Sequence, residues 1–192
     1  MATGIGEPAI SPAKIVGKHG HVTATDISTE MLAIAEERAR SLGLHDAMDF
    51  KQNDAENLEL GTNQEFDAIL CGWGLMFLPN LDKALSNIMR LLISRGKLAA
   101  AVWSEPSKVP LINMPMSTAR QELQYPLLGQ GVPGPFNLAD VDGLEKSLLK
   151  AGFTDIRSET ITVTFEFDSA EAYTKFNEDI VAHIRTLLAN EN

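Results

Sequence analysis

Ala2-Thr3-Gly4-Ile5-Gly6-Glu7-Pro8-Ala9 is the stretch whose reading decides the fold. Two glycines one residue apart let the backbone turn tightly and approach a ligand, because neither carries a Cβ. A helix start is expected directly afterwards. Pro8 suits a first helical position, where its missing N–H is no loss. Ala9, Ile10, Ala13, Ile15 and Val16 supply the apolar residues of that helix. Free N–H groups at such a helix end attract an anionic or polar ligand. Working outward, His21-Val22-Thr23-Ala24-Thr25 reads as a strand that ends at Asp26, twenty residues past Gly6. A carboxylate there is placed to accept both hydroxyls of a ribose. Glycine turn, helix, strand and acid form the layout of a nucleoside-binding half of an α/β fold. The plainer alternative is an ordinary turn into a helix, with Asp26 capping the next one.

The rest of the chain extends the alternation. Ser28 is placed as an N-cap, with Met31, Leu32, Ala35, Ala39 and Leu42 forming a helical stripe stopped by Gly43. Met48–Gln52 reads as a short strand leading to Asn53-Asp54-Ala55. Phe66–Cys71 is mostly apolar, as expected of a strand covered on both faces, and ends at Gly72-Trp73-Gly74. Asn80 caps a helix whose inner face carries Leu81, Leu85, Ile88, Leu91 and Leu92. Arg95-Gly96 turns the chain into a buried strand over Lys97–Trp103. Strands alternating with helices predict a parallel sheet with helices on both faces. From Ser104 to Leu138 prolines and glycines crowd together, with Met114, Met116, Tyr125 and Phe136 scattered among them. This segment reads either as a lid or as a surface loop with a short helix. A helix with Leu144, Leu148 and Leu149 follows, stopped by Gly152. Ile161, Val163, Phe165 and Phe167 alternate with polar residues and predict a half-exposed edge strand. Asp168 and Glu171 fit a capping box for a last helix with a stripe of Tyr173, Phe176, Ile180, Ile184 and Leu187.

Composition narrows the function. A chain of 192 residues with 44% hydrophobic and 22% charged content reads as one domain, 1–192, able to bury a core. It divides into a ligand-binding core over 1–103, a lid-like insertion over 104–138, and a helix-strand-helix over 139–192 that completes the sheet. The net charge of −10 argues against nucleic-acid binding, which needs Lys and Arg against the phosphates. It also disfavours anionic membrane surfaces. The single cysteine, Cys71, excludes an internal disulfide and fits a cytoplasmic location. No run is long and apolar enough for membrane insertion. No His/Asp/Glu grouping has metal-ligand spacing, so no metal is expected.

In order and spacing these elements resemble a class I S-adenosylmethionine-dependent methyltransferase, in particular the small-molecule branch that includes the quinone-biosynthesis enzymes (methyltransferase type 11). Ala2, Thr3, Gly4, Ile5 and Gly6 resemble the later part of the family's acid-x-Gly-x-Gly-x-Gly loop, with Ala2 at the first glycine. The resemblance implies S-adenosylmethionine as cofactor. It puts Asp26 on the ribose hydroxyls and Ile27 against the adenine, with Met31 beside them. Asp54 and Ala55 match an acid-plus-small pair at the adenine amino group. Cys71, Gly72 and Trp73 fall beside the methionine part. Leu92–Leu98 resembles the family's Leu-Lys-Pro-Gly-Gly-x-Leu turn, with Ser94 and Arg95 as substitutes. The implied fold is a doubly wound, Rossmann-like, mostly parallel sheet. The family's first and last strands have no counterpart, so a chain truncated at both ends is expected. Without its central strand, both neighbours would lack backbone partners.

The implied reaction moves a methyl group from a sulfonium to a small, apolar or aromatic organic acceptor. The donor is already activated, so the protein mainly positions the reactants and excludes water. No catalytic residue is therefore assigned, and no oligomeric state. Trp73 and Trp103 end neighbouring strands and serve either as a cation–π face or as packing. His183 is the one histidine placed to reach the lid as a base; His19 and His21 read as solvent-facing, and His45 follows a helix end. Two alternatives stand beside this reading. One is a nicotinamide-dependent oxidoreductase, since Gly4-x-Gly6-x-x-Ala9 with Asp26 fits a permissive NAD(P) pattern. The other is an inactive nucleoside-binding fragment.

Overall fold

A computed structural model describes residues 1–60, 64–123 and 132–180, and among these described residues are four parallel-paired strands and six α-helices. Strand β1 (Val22–Asp26) pairs with β2 (Met48–Gln52), and β3 (Phe66–Gly72) with β4 (Leu92–Ala101), both in parallel. The α/β class and the parallel pairing agree with the sequence reading. The sheet itself is two separate pairs among the described residues. Residues Met1–Thr3 span the gap between them. The Met1 amine donates to the Leu70 carbonyl of β3 at 2.9 Å, and the Thr3 N–H donates to the Thr25 carbonyl of β1 at 3.0 Å.

Each pair has its own apolar core. Helices α1 (Ile10–Val16) and α2 (Thr29–Ser41) pack on β1 and β2 through Ile10, Ala13, Ala24, Ala39 and Met48. Helix α3 (Leu81–Leu91) and α5 (Val141–Lys150) pack on β3 and β4 around Cys71, Leu75, Met76, Leu85 and Ile88. Helix α4 (Pro110–Leu123) forms a third cluster, of Val109, Ile112 and Met116, joined to the second through Trp103. Ile88 has no exposed surface. Ile88→Ala is expected to cost about 2–5 kcal/mol through lost burial and a residual cavity, read as a lower urea midpoint with unchanged slope.

Local capping follows the sequence closely. The Ser28 hydroxyl accepts from the Met31 N–H at 3.2 Å, and the Asn80 side chain accepts from the Lys83 N–H at 3.0 Å. Gly43 and Gly152 end α2 and α5 with φ of 69° and 100°, a region that glycine enters without penalty.

Several expectations are corrected. Helix α1 begins at Ile10, not Pro8, because residues 4–9 form successive turns that close on the Gly6 carbonyl. Met31 on α2, Leu42 just past its end and Leu149 on α5 are exposed, leaving narrower buried stripes. Leu92 opens β4 instead of closing α3. The turn expected at Arg95-Gly96 is a bulge inside β4: Phe66 pairs with Leu92 but Ala68 with Lys97, and Arg95 has φ 69°. Strands β3 and β4 are not covered throughout, with Ala68, Ala99, Ala100 and Ala101 exposed. No strand forms over residues 161–167, so nothing from 139–180 completes a sheet; Ile161 and Val163 are exposed, and Phe165 and Phe167 turn onto Phe176 and Tyr173. Alternation specifies a strand only where an edge is there to receive it. Ser169, not Asp168, caps α6 (Ala170–Ile180), accepting from the Ala172 N–H at 3.1 Å. Tyr125, His183, Ile184 and Leu187 lie outside the described residues.

Candidate functional site

The carboxylate of Asp26 is the organising group. It is only 8% exposed at the end of β1. One oxygen accepts the Gly4 N–H at 2.7 Å and the other accepts the Ser28 N–H at 3.0 Å. Asp26 therefore holds the glycine turn and the start of α2 in one arrangement. Each carboxylate oxygen keeps a further lone pair. Ile27 is 70% exposed beside it, and Ile5 and Met31 are about half exposed. The Met31 sulfur lies 3.9 Å from where a Gly4 Cβ would stand. A buried carboxylate bordered by exposed apolar side chains fits a ligand with a hydroxylated part and a flat apolar part, as adenosine has.

The glycine turn is tied down at several points. The Gly6 N–H donates to the Thr3 carbonyl at 2.9 Å, and Arg38 of α2 donates to the Ile5 carbonyl. Gly4 and Gly6 have φ of 51° and 126°, and Ala2 adopts 49°, so Ala2 stands in a backbone conformation that suits glycine. The space beside Gly6 is taken by the protein itself. A Cβ there would fall 2.6 Å from Ile10 Cδ1 and 3.3 Å from Arg38 Nη1. Its bareness thus serves α1 and Arg38, whereas Gly4 is the glycine with open room. Thr3 is buried with its hydroxyl unpartnered.

Asp54 sits at the next strand end, linked to Asp26 through the Asn53 N–H on the Asp26 carbonyl at 2.9 Å. Its carboxylate caps the turn Ala55–Asn57, accepting from the Glu56 N–H at 2.9 Å and the Asn57 amide at 2.7 Å. The Glu56 N–H, then Asn57, holds the Asp54 carboxyl below the usual carboxylate range. Asn87 of α3 donates to the Ala55 and Glu56 carbonyls. Asp54 is thus the cap of a short turn, and that turn is anchored to α3.

Cys71, Gly72 and Trp73 end β3 on the far side of Ala2. Cys71 is 1% exposed, and burial pushes its thiol up from the ordinary value. Burial favours the neutral thiol in the folded state, so its contribution to stability is complete below the ordinary thiol pKa and declines as pH rises beyond it. Iodoacetamide is accordingly expected to label Cys71 far more slowly in the native chain than in urea at pH 8. Gly72 lies beside Pro8. Trp73 has φ 55° and stacks on Trp103 with ring centroids 5.1 Å apart. Trp103 packs into two clusters while Trp73 stays 45% exposed. A cavity of about 280 Å³ lies between α1 and β3, lined by Pro8, Ile15, Leu70, Gly72 and Trp73 among others. Neither it nor a second cavity beside His21 and His45 includes Asp26 or Asp54 in its lining. His21 lies 3.1 Å from Asp49, and His45 lies 3.8 Å from Glu36. Among the described residues no group of side chains is placed to hold a metal, and no helix is long and apolar enough to cross a membrane.

Residues 1–100 match the family model described as a methyltransferase domain. The chain belongs to the class I S-adenosylmethionine-dependent methyltransferases. Among relatives of the family, the demethylmenaquinone methyltransferase of Lactobacillus johnsonii is 34% identical over 114 residues, which cover 59% of this chain and 46% of that protein. The ubiquinone/menaquinone biosynthesis C-methyltransferase UbiE of Brucella canis is 36% identical over 105 residues, covering 55% and 39%. The chain thus spans less than half the length of these curated relatives. Among solved structures, the (4+2) cyclase SpnF aligns with a TM-score of 0.55 at 24% identity, over 79% of this chain and 49% of that one. The MccD protein aligns at 0.56 and 20%, over 78% and 60%. These two likenesses bear on the fold alone, and a cyclase among them illustrates that the fold does not dictate the reaction. Family membership disfavours the nicotinamide alternative, and S-adenosylmethionine is the cofactor the family uses. Sequence reasoning missed Arg38 and Asn87, which tie the turns at Ile5 and at Ala55–Glu56 to α2 and α3; neither belongs to a spaced motif.

Proposed function

We propose that this chain binds S-adenosylmethionine and serves methyl transfer to a small, apolar or aromatic organic acceptor. The buried Asp26 carboxylate, closed onto Gly4 and bordered by Ile5, Ile27 and Met31, carries the reading. Asp26 receives the ribose hydroxyls, Ile27 and Met31 cover the adenine, and Asp54 with Ala55 forms its polar edge. Ala2–Gly6 and Cys71–Trp73 flank the methionine part. When bound, the cofactor supplies an activated methyl group on a sulfonium. The chain's own residues then hold the two reactants in line and keep water out. The exposed face of Trp73, backed by Trp103, favours a flat or apolar acceptor. Within the lid-like insertion, α4, anchored through Trp103, acts as the cover over that side; residues 124–131 of the insertion lie outside the described residues. The two relatives, a demethylmenaquinone methyltransferase and a ubiquinone/menaquinone biosynthesis C-methyltransferase, support an acceptor of this class. A small-molecule partner rather than nucleic acid belongs to the same reading, supported by the net charge of −10, and a cytoplasmic location goes with it.

Thermal-shift and calorimetric titrations with S-adenosylhomocysteine and with NAD test it. S-adenosylhomocysteine is expected to raise the unfolding midpoint and NAD to leave it unchanged. A shift with NAD alone returns the oxidoreductase alternative, and no shift with either leaves the nucleoside-binding reading without support.

A further inference from the structure

We infer that Arg38 is a positioning residue for the cofactor turn. The inference rests on the proposed S-adenosylmethionine site, and it concerns a residue outside the glycine motif. The Ile5–Gly6 peptide is gripped at both ends. Its carbonyl accepts from Arg38, and its N–H donates to the Thr3 carbonyl. One residue earlier, the Gly4 N–H is held by Asp26. Between these clamps the Gly4–Ile5 peptide has neither its C=O nor its N–H engaged among the described residues. A turn pinned on both sides of one uncommitted peptide is pre-organised to offer that peptide to a ligand, and pre-organisation lowers the cost of binding.

The bare side of Gly6 supports the same assignment. A Cβ at Gly6 would crowd Arg38 Nη1 at 3.3 Å, so the glycine admits the guanidinium as well as allowing φ 126°. Arg38 is half-buried, and its neighbours Ala35 and Ala39 on α2 are fully buried, so its stem leaves a rigid support. A planar donor fork loses less freedom per hydrogen bond than a lysine would. Arg38 thus transmits the rigidity of α2 to the turn without touching the cofactor.

The test uses the full chain with S-adenosylhomocysteine as probe. Arg38→Met keeps the apolar stem and removes the donor. Affinity is expected to fall about tenfold, with the thermal midpoint little changed, and amide exchange at Gly6 to quicken. Arg38→Lys should recover most of the affinity, because an ammonium also donates to a carbonyl. Unchanged affinity in Arg38→Met overturns the assignment. So does a joint loss of affinity and midpoint that lysine fails to restore, which marks plain packing. If the unmodified chain does not bind the probe, the cofactor reading fails on its own. The exchange rate at Gly6 then still decides: unchanged in Arg38→Met, it overturns the clamp; faster, it supports it.

Discussion

Asp26→Ala is expected to weaken S-adenosylhomocysteine binding by two to three orders of magnitude. Two losses combine. The first is the carboxylate's own contact with the ribose: a hydrogen bond to a charged group contributes about 1.5–3 kcal/mol, and about 1.4 kcal/mol is a factor of ten. The second is the turn itself, since the Gly4 and Ser28 N–H groups lose their acceptor. Asp26→Asn is expected to fare nearly as badly. Both carboxylate oxygens already accept backbone N–H groups, and an amide must set its NH₂ against one of those donors. An analogue series separates the two losses. The 2′,3′-dideoxyribose analogue of S-adenosylhomocysteine should bind the unmodified chain far more weakly than the parent compound, and Asp26→Ala should bind both alike. If the variant still prefers the hydroxylated ligand by the original factor, Asp26 does not hold the ribose.

What could be read in advance divides along a physical line. Features set by a few adjacent residues were legible. Ser28 and Asn80 cap their helices because a short side-chain acceptor three residues before a free N–H leaves little choice. Gly43 and Gly152 stop theirs because few other residues tolerate the left-handed turn. Asp26 stands out because it combines spacing with chemistry, and its carboxylate accepts the Gly4 N–H of the turn. Features that depend on a distant partner were not. The alternation at Ile161–Phe167 is sound strand grammar, yet no edge meets it, and its aromatic residues turn onto α6 instead. The bulge that places Lys97 opposite Ala68 follows from the register of β3 and β4, which neither strand carries alone. The clamp from Arg38 spans 33 residues and follows no spacing rule.

Gly74→Ala is the second change expected to have a large effect, and it tests how the turn is joined to β3. The backbone does not oppose it, because φ at Gly74 is −96°, open to any residue. Space does. The new Cβ would lie 2.4 Å from the Ala2 Cβ and 2.8 Å from the Cys71 sulfur, both inside van der Waals contact. Cys71 is buried and Ala2 is tethered by its neighbours, for Met1 donates to Leu70 and Thr3 to Thr25. Neither gives way freely, so the cost should lie at the upper end of the about 1–3 kcal/mol usual for overpacking. For a chain of this size that is a fall of roughly 5–10 °C in the unfolding midpoint. Ala2→Gly should reverse much of it, because it removes the shorter contact and frees a residue held at φ 49°. Ala2→Gly alone should be close to neutral, relief of the positive φ offsetting the entropy of a new glycine. The pair is therefore expected to be strongly non-additive. Affinity for S-adenosylhomocysteine should follow the same pattern, lost in Gly74→Ala and partly regained in the double variant, since the contact under test sets where Ala2 lies relative to Asp26. Additive midpoints would mean that Ala2 and Gly74 do not touch, and the packing of the turn against β3 would have to be redrawn.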